Sequence, residues 1–125
     1  MELIIVDTSV WVDHIRYALP ELTDLIGERR CVLHPFVLSE IALGNLPLWR
    51  RRIAQLRTLP SVEPITSDQL LDLIDRLALQ GSGLGCTDAH LLATTVTLPH
   101  MRLWSRDKRL SAKAASLGVG WQPAC

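Results

Sequence analysis

The run LIIV at positions 3–6, followed at once by Asp7, Thr8 and Ser9, constrains the fold more than any other feature of the chain. A strand with one solvated face alternates apolar and polar residues. An unbroken apolar run is what a central parallel strand needs, because helices cover both of its faces. Thr8 or Ser9 supplies an N-cap, and VWVDHIRY continues at helical spacing. The first unit is therefore a buried strand, a sharp turn and a helix, with a carboxylate at the turn.

The same grammar recurs along the chain. CVLHP predicts a short strand at 31–34, with Pro35 at the first position of a helix FVLSEIAL and Gly44 just beyond its end. Over 48–59, Trp49, Ile53 and Leu56 share one helical face while arginines and Gln55 take the other, and Pro60 stops the helix. SVEPI at 61–65 reads as a short edge strand, since Pro64 removes a ladder donor. Ser67 caps an amphipathic helix carrying Leu70, Leu73, Ile74 and Leu77, ended by Gly81. GSGLG at 81–85 is similar to a phosphate-binding glycine loop but follows a helix rather than a strand, so it reads as a connection between helices. Thr87 caps DAHLLATTV, Pro99 breaks the chain, MRLWS at 101–105 is a strand, DKRLSAKAASL a helix and VGW at 119–121 a last short strand. Strands alternating with helices imply right-handed crossovers and a three-layer α/β/α sandwich around a parallel sheet.

At 125 residues and 48% hydrophobic composition, the chain can bury one core without disulfides or a structural metal, and a single domain over 1–125 is expected. No apolar run approaches the ~20 residues of a membrane span. The N-terminal segment carries Glu2 and lacks the basic and apolar regions of a signal peptide, which predicts a cytoplasmic protein. Cys31, Cys86 and Cys125 are far apart and lack ligand-spaced neighbours, so they read as buried or incidental thiols. Thirteen basic and thirteen acidic side chains cancel, so any nucleic-acid partner must be held by local charge. Arg50, Arg51, Arg52 and Arg57 form one basic cluster, and Arg106, Lys108, Arg109 and Lys113 another; each alone reads as a solvated helix face.

Four acids stand out. Asp7 lies at the carboxyl end of the first strand, where open parallel sheets collect their chemistry. A turn or capping role is the bland alternative, but Thr8 and Ser9 are already available as caps. Glu40 sits in an otherwise apolar helix and must either emerge at its edge or have a partner. Asp88 falls in a first helical turn, where the helix dipole favours it by ~0.3 to 1 kcal/mol, and Asp107 is a plausible N-cap. Taken singly, the last two have sufficient structural explanations. Taken together, at least Asp7 and Asp107 come from carboxyl ends of strands in one sheet and share a rim, and several carboxylates within a few ångströms would repel and raise one another's pKa unless a cation sat among them. Oxygen-only ligands with no Cys or His suit Mg²⁺ or Mn²⁺ rather than zinc.

The segments VDTSVWVDH, LSEIALG, CTDAHLLAT and LWSRDKRL, in this order and spacing, resemble the PIN domain, specifically the VapC-type ribonuclease toxins of type II toxin–antitoxin systems. The resemblance covers essentially the whole chain. It implies a PIN-type α/β/α fold and a metal site of Asp7, Glu40, Asp88 and Asp107, with Asp7 and Asp88 as direct ligands and Ser105 as an orienting hydroxyl. It also implies Mg²⁺- or Mn²⁺-dependent hydrolysis of RNA such as transfer or ribosomal RNA, a homodimer, and inhibition by a cognate VapB-like antitoxin. Arg106, Lys108 and Arg109 could then bind flanking phosphates.

Other conspicuous residues keep plainer readings. Trp11, Trp49 and Trp104 serve core or dimer packing. His90 points away from Asp88, His14 is an exposed helical residue, and Asp13 is a solvated partner of Arg16 or of the helix dipole, outside the site. Three alternatives compete. A receiver-like phosphoacceptor needs an acid pair after the first strand and a rim lysine, which this chain lacks. A catalytically silent PIN-like binding module is disfavoured by the presence of all four acids. A DNA-directed nuclease would look the same in sequence.

Overall fold

The computed structural model describes residues 1–124 and holds a three-stranded, all-parallel sheet among seven helices. In chain order these are β1 (Leu3–Val6), α1 (Thr8–Tyr17), α2 (Pro20–Gly27), β2 (Cys31–Val32), α3 (Pro35–Leu43), α4 (Trp49–Leu56), α5 (Ser67–Arg76), α6 (Cys86–Thr97), β3 (Met101–Trp104) and α7 (Lys108–Ser116). The strand order is β2-β1-β3, so the apolar run at the N-terminus is the middle strand. Ile4, Ile5 and Val6 are fully buried, which is the two-sided covering that an unbroken apolar run requires. The architecture is the expected α/β sandwich.

The sheet order places Asp7 at a switch point. From β1 the chain moves to β2 on one side and later to β3 on the other, so the crevice where ligands bind in such sheets opens at the carboxyl end of β1. The β1–β3 register pairs Val6 with Trp104, which sets Asp7 beside Ser105. The backbone amide of Asp7 donates to the Trp104 carbonyl at 2.9 Å and holds that pairing to the end of the strand.

Several local expectations shift. SVEPI contributes only a bridge from Ser61 to Leu33 rather than a strand, because Pro64 has no donor with which to extend the ladder. VGW likewise yields a single bridge, Gly120 to Leu103, where the chain passes so close to α7 that a Cβ on Gly120 would meet the Ala115 amide at 3.1 Å. The helix α2 was not evident from the patterning; Pro20 at its first turn and buried Leu22 and Leu25 are the signals that specify it. Thr66, not Ser67, caps α5, forming a reciprocal capping box with Gln69. That helix ends at Arg76, ahead of Gly81, and Gly85 rather than Thr87 is the N-cap of α6.

The main core joins β1 and β3 to Leu22, Leu91, Leu92 and Leu110. Trp11 and Trp104 are buried in it, whereas Trp49 is 41% exposed and donates its indole N–H to the Ala42 carbonyl at 2.7 Å. Cys31 is buried, and burial pushes its thiol up to about 12; Cys86 is exposed at the start of α6. Cys125, also read as an incidental thiol, lies outside the described residues. Among the described residues, no helix is long and apolar enough to cross a membrane.

Candidate active site

Asp7 is the N-cap of α1, in place of Thr8 or Ser9, and it is only 4% exposed. Its Oδ1 accepts the Thr8 amide at 2.7 Å, and its Oδ2 accepts the hydroxyls of Ser9 and Ser105, each at 2.8 Å. Capping and a site role are therefore not alternatives here. A carboxylate offers about four lone-pair positions; these three donors leave one on Oδ1.

The two serines that grip Asp7 are themselves held from behind. The Ser9 Oγ accepts the Arg106 amide and the Ser105 Oγ accepts the Asp107 amide, each at 3.0 Å. Asp107 caps α7 by accepting the Leu110 amide at 2.9 Å through Oδ1, which leaves its Oδ2 available. On the other side, the Thr8 hydroxyl donates to Glu40 Oε1 at 2.6 Å. That contact explains the acid in the apolar helix α3: Glu40 emerges at the helix edge and is tied to the Asp7 turn. A continuous hydrogen-bonded chain thus runs from Glu40 through Thr8, Asp7 and Ser105 to Asp107.

Asp88 lies in the first turn of α6, and among the described residues no hydroxyl holds it as Asp7 is held. Its pKa is raised to about 6, first by burial and then by the charges of Asp7, Asp107 and Glu40, against a backbone hydrogen bond from Gly85. Electrostatically the four acids therefore form one group. Asp88 and Asp107 border a cavity of about 480 Å³ whose other walls are Gly83, Leu84, Arg106, Lys108 and Arg109, whereas Glu40 faces a neighbouring groove with Val12, Ile15 and Ile41.

The donor set suits a hard divalent cation. Each acid keeps a free oxygen position, the ligands are oxygen alone, and the repulsion on Asp88 is what a cation would relieve. Among the described residues, the side chains do not converge into a group of three ligands close enough to enclose a metal. This is compatible with Mg²⁺, which is usually held by one or two carboxylates together with water and substrate phosphate.

The chain is 41% identical over 117 residues to Ribonuclease VapC32 of Mycobacterium tuberculosis, in both the CDC 1551 / Oshkosh and the H37Rv strains, covering 94% of each sequence. It belongs to the VapC-type ribonuclease toxins of the PIN-domain family. The fold agrees: the crystal structure of PAE2754 from Pyrobaculum aerophilum superposes with a TM-score of 0.65 at 18% identity, over 90% of this chain and 84% of that one. No protein-family model matches the chain.

Within this VapC chain, some residues stand differently from their sequence readings. His14 is half-buried rather than exposed, because its Nδ1 accepts the Leu19 amide at 3.0 Å and so shapes the α1–α2 turn. His90, by contrast, stands as read, turned from Asp88: it is buried with its ring 4.6 Å from that of Phe36. Asp13 pairs with Arg106 at 2.7 Å rather than with Arg16, since α1 runs beside the β3–α7 turn. Thr8 and Ser9 were visible only as caps. Their side chains bind Glu40 and Asp7 instead, a role that the hydroxyl-bearing triplet DTS could have signalled.

Proposed function

We propose that this chain is the toxin of a type II toxin–antitoxin system, a Mg²⁺- or Mn²⁺-dependent endoribonuclease in which Asp7 and Asp88 hold the cation. The observation that carries this reading is the group of acids at the β1 switch point, with Asp88 pushed up first by burial and then by the charges of Asp7, Asp107 and Glu40. When bound, a divalent cation would supply Lewis-acid charge and a nucleophilic water for hydrolysis of the phosphodiester.

The chain's own part is positioning. Ser9 and Ser105 fix the Asp7 carboxylate from two sides, and the Asp107 amide in turn fixes Ser105. Glu40, anchored by Thr8, and Asp107, anchored at the start of α7, would orient the attacking water and the departing oxygen. Displacement of such groups by about an ångström can cost ~100-fold in rate. Exposed Val12, Tyr17, Leu43 and Leu48, with the groove lined by Ile15 and Ile41, offer apolar surface suited to a second copy of the chain and to a VapB-like antitoxin.

The test is cleavage of total RNA in Mg²⁺ or Mn²⁺, beside Asp7→Asn, Asp88→Asn and an EDTA control. Cleavage should require the cation and both acids. If it persists in EDTA or in both variants, the metal-nuclease reading fails. Cation binding without cleavage would point to a silent binding module.

A further inference from the structure

The cavity that holds Asp88 and Asp107 has a second wall of opposite charge. Arg106, Lys108 and Arg109 line it together with Gly83 and Leu84 of the loop 81–85. The three cations are not equivalent. Arg106 is committed to Asp13 at 2.7 Å, and its amide is committed to Ser9, so it braces the β3–α7 turn. Lys108 is exposed and, among the described residues, pairs with no carboxylate. Arg109 is the one with a built seat: its Nη1 reaches the Gly83 carbonyl at 3.5 Å, and among the described residues it pairs with no carboxylate.

Gly83 is shaped for that guanidinium in two ways. Its φ of +82° is a conformation glycine adopts freely. A Cβ there would also lie 2.5 Å from Arg109 Nη1 and 3.1 Å from its Cζ. The obstruction is the end of a flexible side chain, so a methyl group would push the guanidinium aside rather than break the loop. By contrast, Gly81 has a similar φ of +73° with nothing within 4 Å of a Cβ. A guanidinium presents five donors, so a single long contact to a carbonyl orients it while leaving its fork free.

We propose that Gly83 and Arg109 form a phosphate seat that holds the RNA strand at a phosphodiester flanking the one cut beside Asp88. This rests on the nuclease reading above. The acids cannot bind a polyanion unaided, and the chain has no net positive charge with which to do so. The seat supplies that charge inside the same cavity, and the planar fork of arginine matches two phosphate oxygens at once. The loop GSGLG thus serves phosphate recognition after all, through a side chain its glycine admits rather than through its own amides.

The experiment measures cleavage of total RNA in Mg²⁺ at low and saturating RNA, and the salt dependence of unfractionated RNA binding to an Asp88→Asn background. Arg109→Ala should lower the low-RNA rate about 10-fold, as expected for loss of a charge-assisted hydrogen bond, while the saturating rate stays within about 2-fold. It should also flatten the log–log salt slope by about 0.7, the value for one phosphate contact on a single strand, and Arg109→Lys should restore that slope. Gly83→Ala should raise the half-saturating RNA concentration, whereas Gly81→Ala, with the same backbone penalty and no contact to Arg109, should not. An unchanged slope in Arg109→Ala, or equal effects of the two glycine variants, would overturn the seat while the nuclease stands. Cleavage that survives EDTA would instead overturn the nuclease reading beneath it.

Discussion

Asp7, at the end of β1, accepts three hydrogen bonds from groups that are themselves held in place, whereas Asp88, at the start of α6, is raised by burial and by the charges facing it. Asp7 is buried and Asp88 half-buried. The first is pre-organised by the sheet: parallel pairing of Val6 with Trp104 delivers Ser105 to Asp7 without any cation. The second is held in an unfavourable field. In the proposed cation site, Asp7 would be the rigid half that fixes geometry and Asp88 the strained half that gains when a divalent cation binds.

The largest expected effect distinguishes neither half, since Asp7→Asn and Asp88→Asn should each reduce RNA cleavage by about 100-fold or more. Their effects on folding should separate them. Asp7→Asn replaces one of the two accepting oxygens by an NH2 donor, which must face either the Thr8 amide or the Ser9 and Ser105 hydroxyls, all of them donors, and should cost roughly 1 to 3 kcal/mol in denaturant unfolding of the metal-free protein. Asp88→Asn removes the repelled charge and should leave stability at neutral pH equal or higher. Destabilisation by Asp88→Asn as large as that by Asp7→Asn would erase the distinction between the two halves.

A smaller effect tests how the rigid half is built. Ser105→Ala removes one donor to Asp7 and the acceptor for the Asp107 amide. The expected cost is about 1 kcal/mol in stability and roughly 10-fold in cleavage, consistent with loss of an outer-sphere partner. Wild-type activity in Ser105→Ala would mean that Ser9 alone fixes Asp7.

The smallest effects are in pH dependence, where two groups act in opposite directions. Asp88 is raised from 3.8 to about 6, so its contribution favours folding at low pH and is lost as pH rises through about 6. His34, fully buried at the N-cap of α3, is lowered from 6.5 to about 4, first by burial and then by His90; its contribution is present above 6.5 and lost as pH falls towards about 4. The two windows overlap and partly cancel. In metal-free protein, Asp88→Asn should therefore lose stability more steeply on acidification than the wild type, and His34→Asn, which keeps an acceptor for the Phe36 amide, less steeply. Saturating Mg²⁺ should remove the Asp88 component alone, because it favours the ionised carboxylate. Identical pH profiles for all three proteins would refute both assignments.

Much of this was legible in the chain. LIIV announced a middle parallel strand, Pro35 and Gly44 bracketed α3, and Asp107 was a visible cap for α7. Asp7 and Asp107 were legible together because strand ends share a rim, whereas Glu40 and Asp88, which lie in α3 and α6, joined them through the resemblance of their segments to the PIN domain. Less legible were the features that depend on neighbours distant in sequence. The helix α2 has weak local signals, the strands at 61–65 and 119–121 shrank to single bridges for want of partners, and Asp13 found Arg106 across 93 positions.

The sequence by itself determined the alternation of strand and helix, because hydrophobic periodicity and capping are local and act within a few residues, and its resemblance to the PIN domain singled out the four acids. Only the tertiary structure decided what each acid experiences. The three donors to Asp7, the tether of Glu40 to Thr8, the raised carboxyl of Asp88 and the seating of Arg109 on Gly83 all follow from register and packing between segments far apart in the chain. Charge and hydrogen-bond energies depend on separations of a few ångströms, which spacing along the chain does not specify.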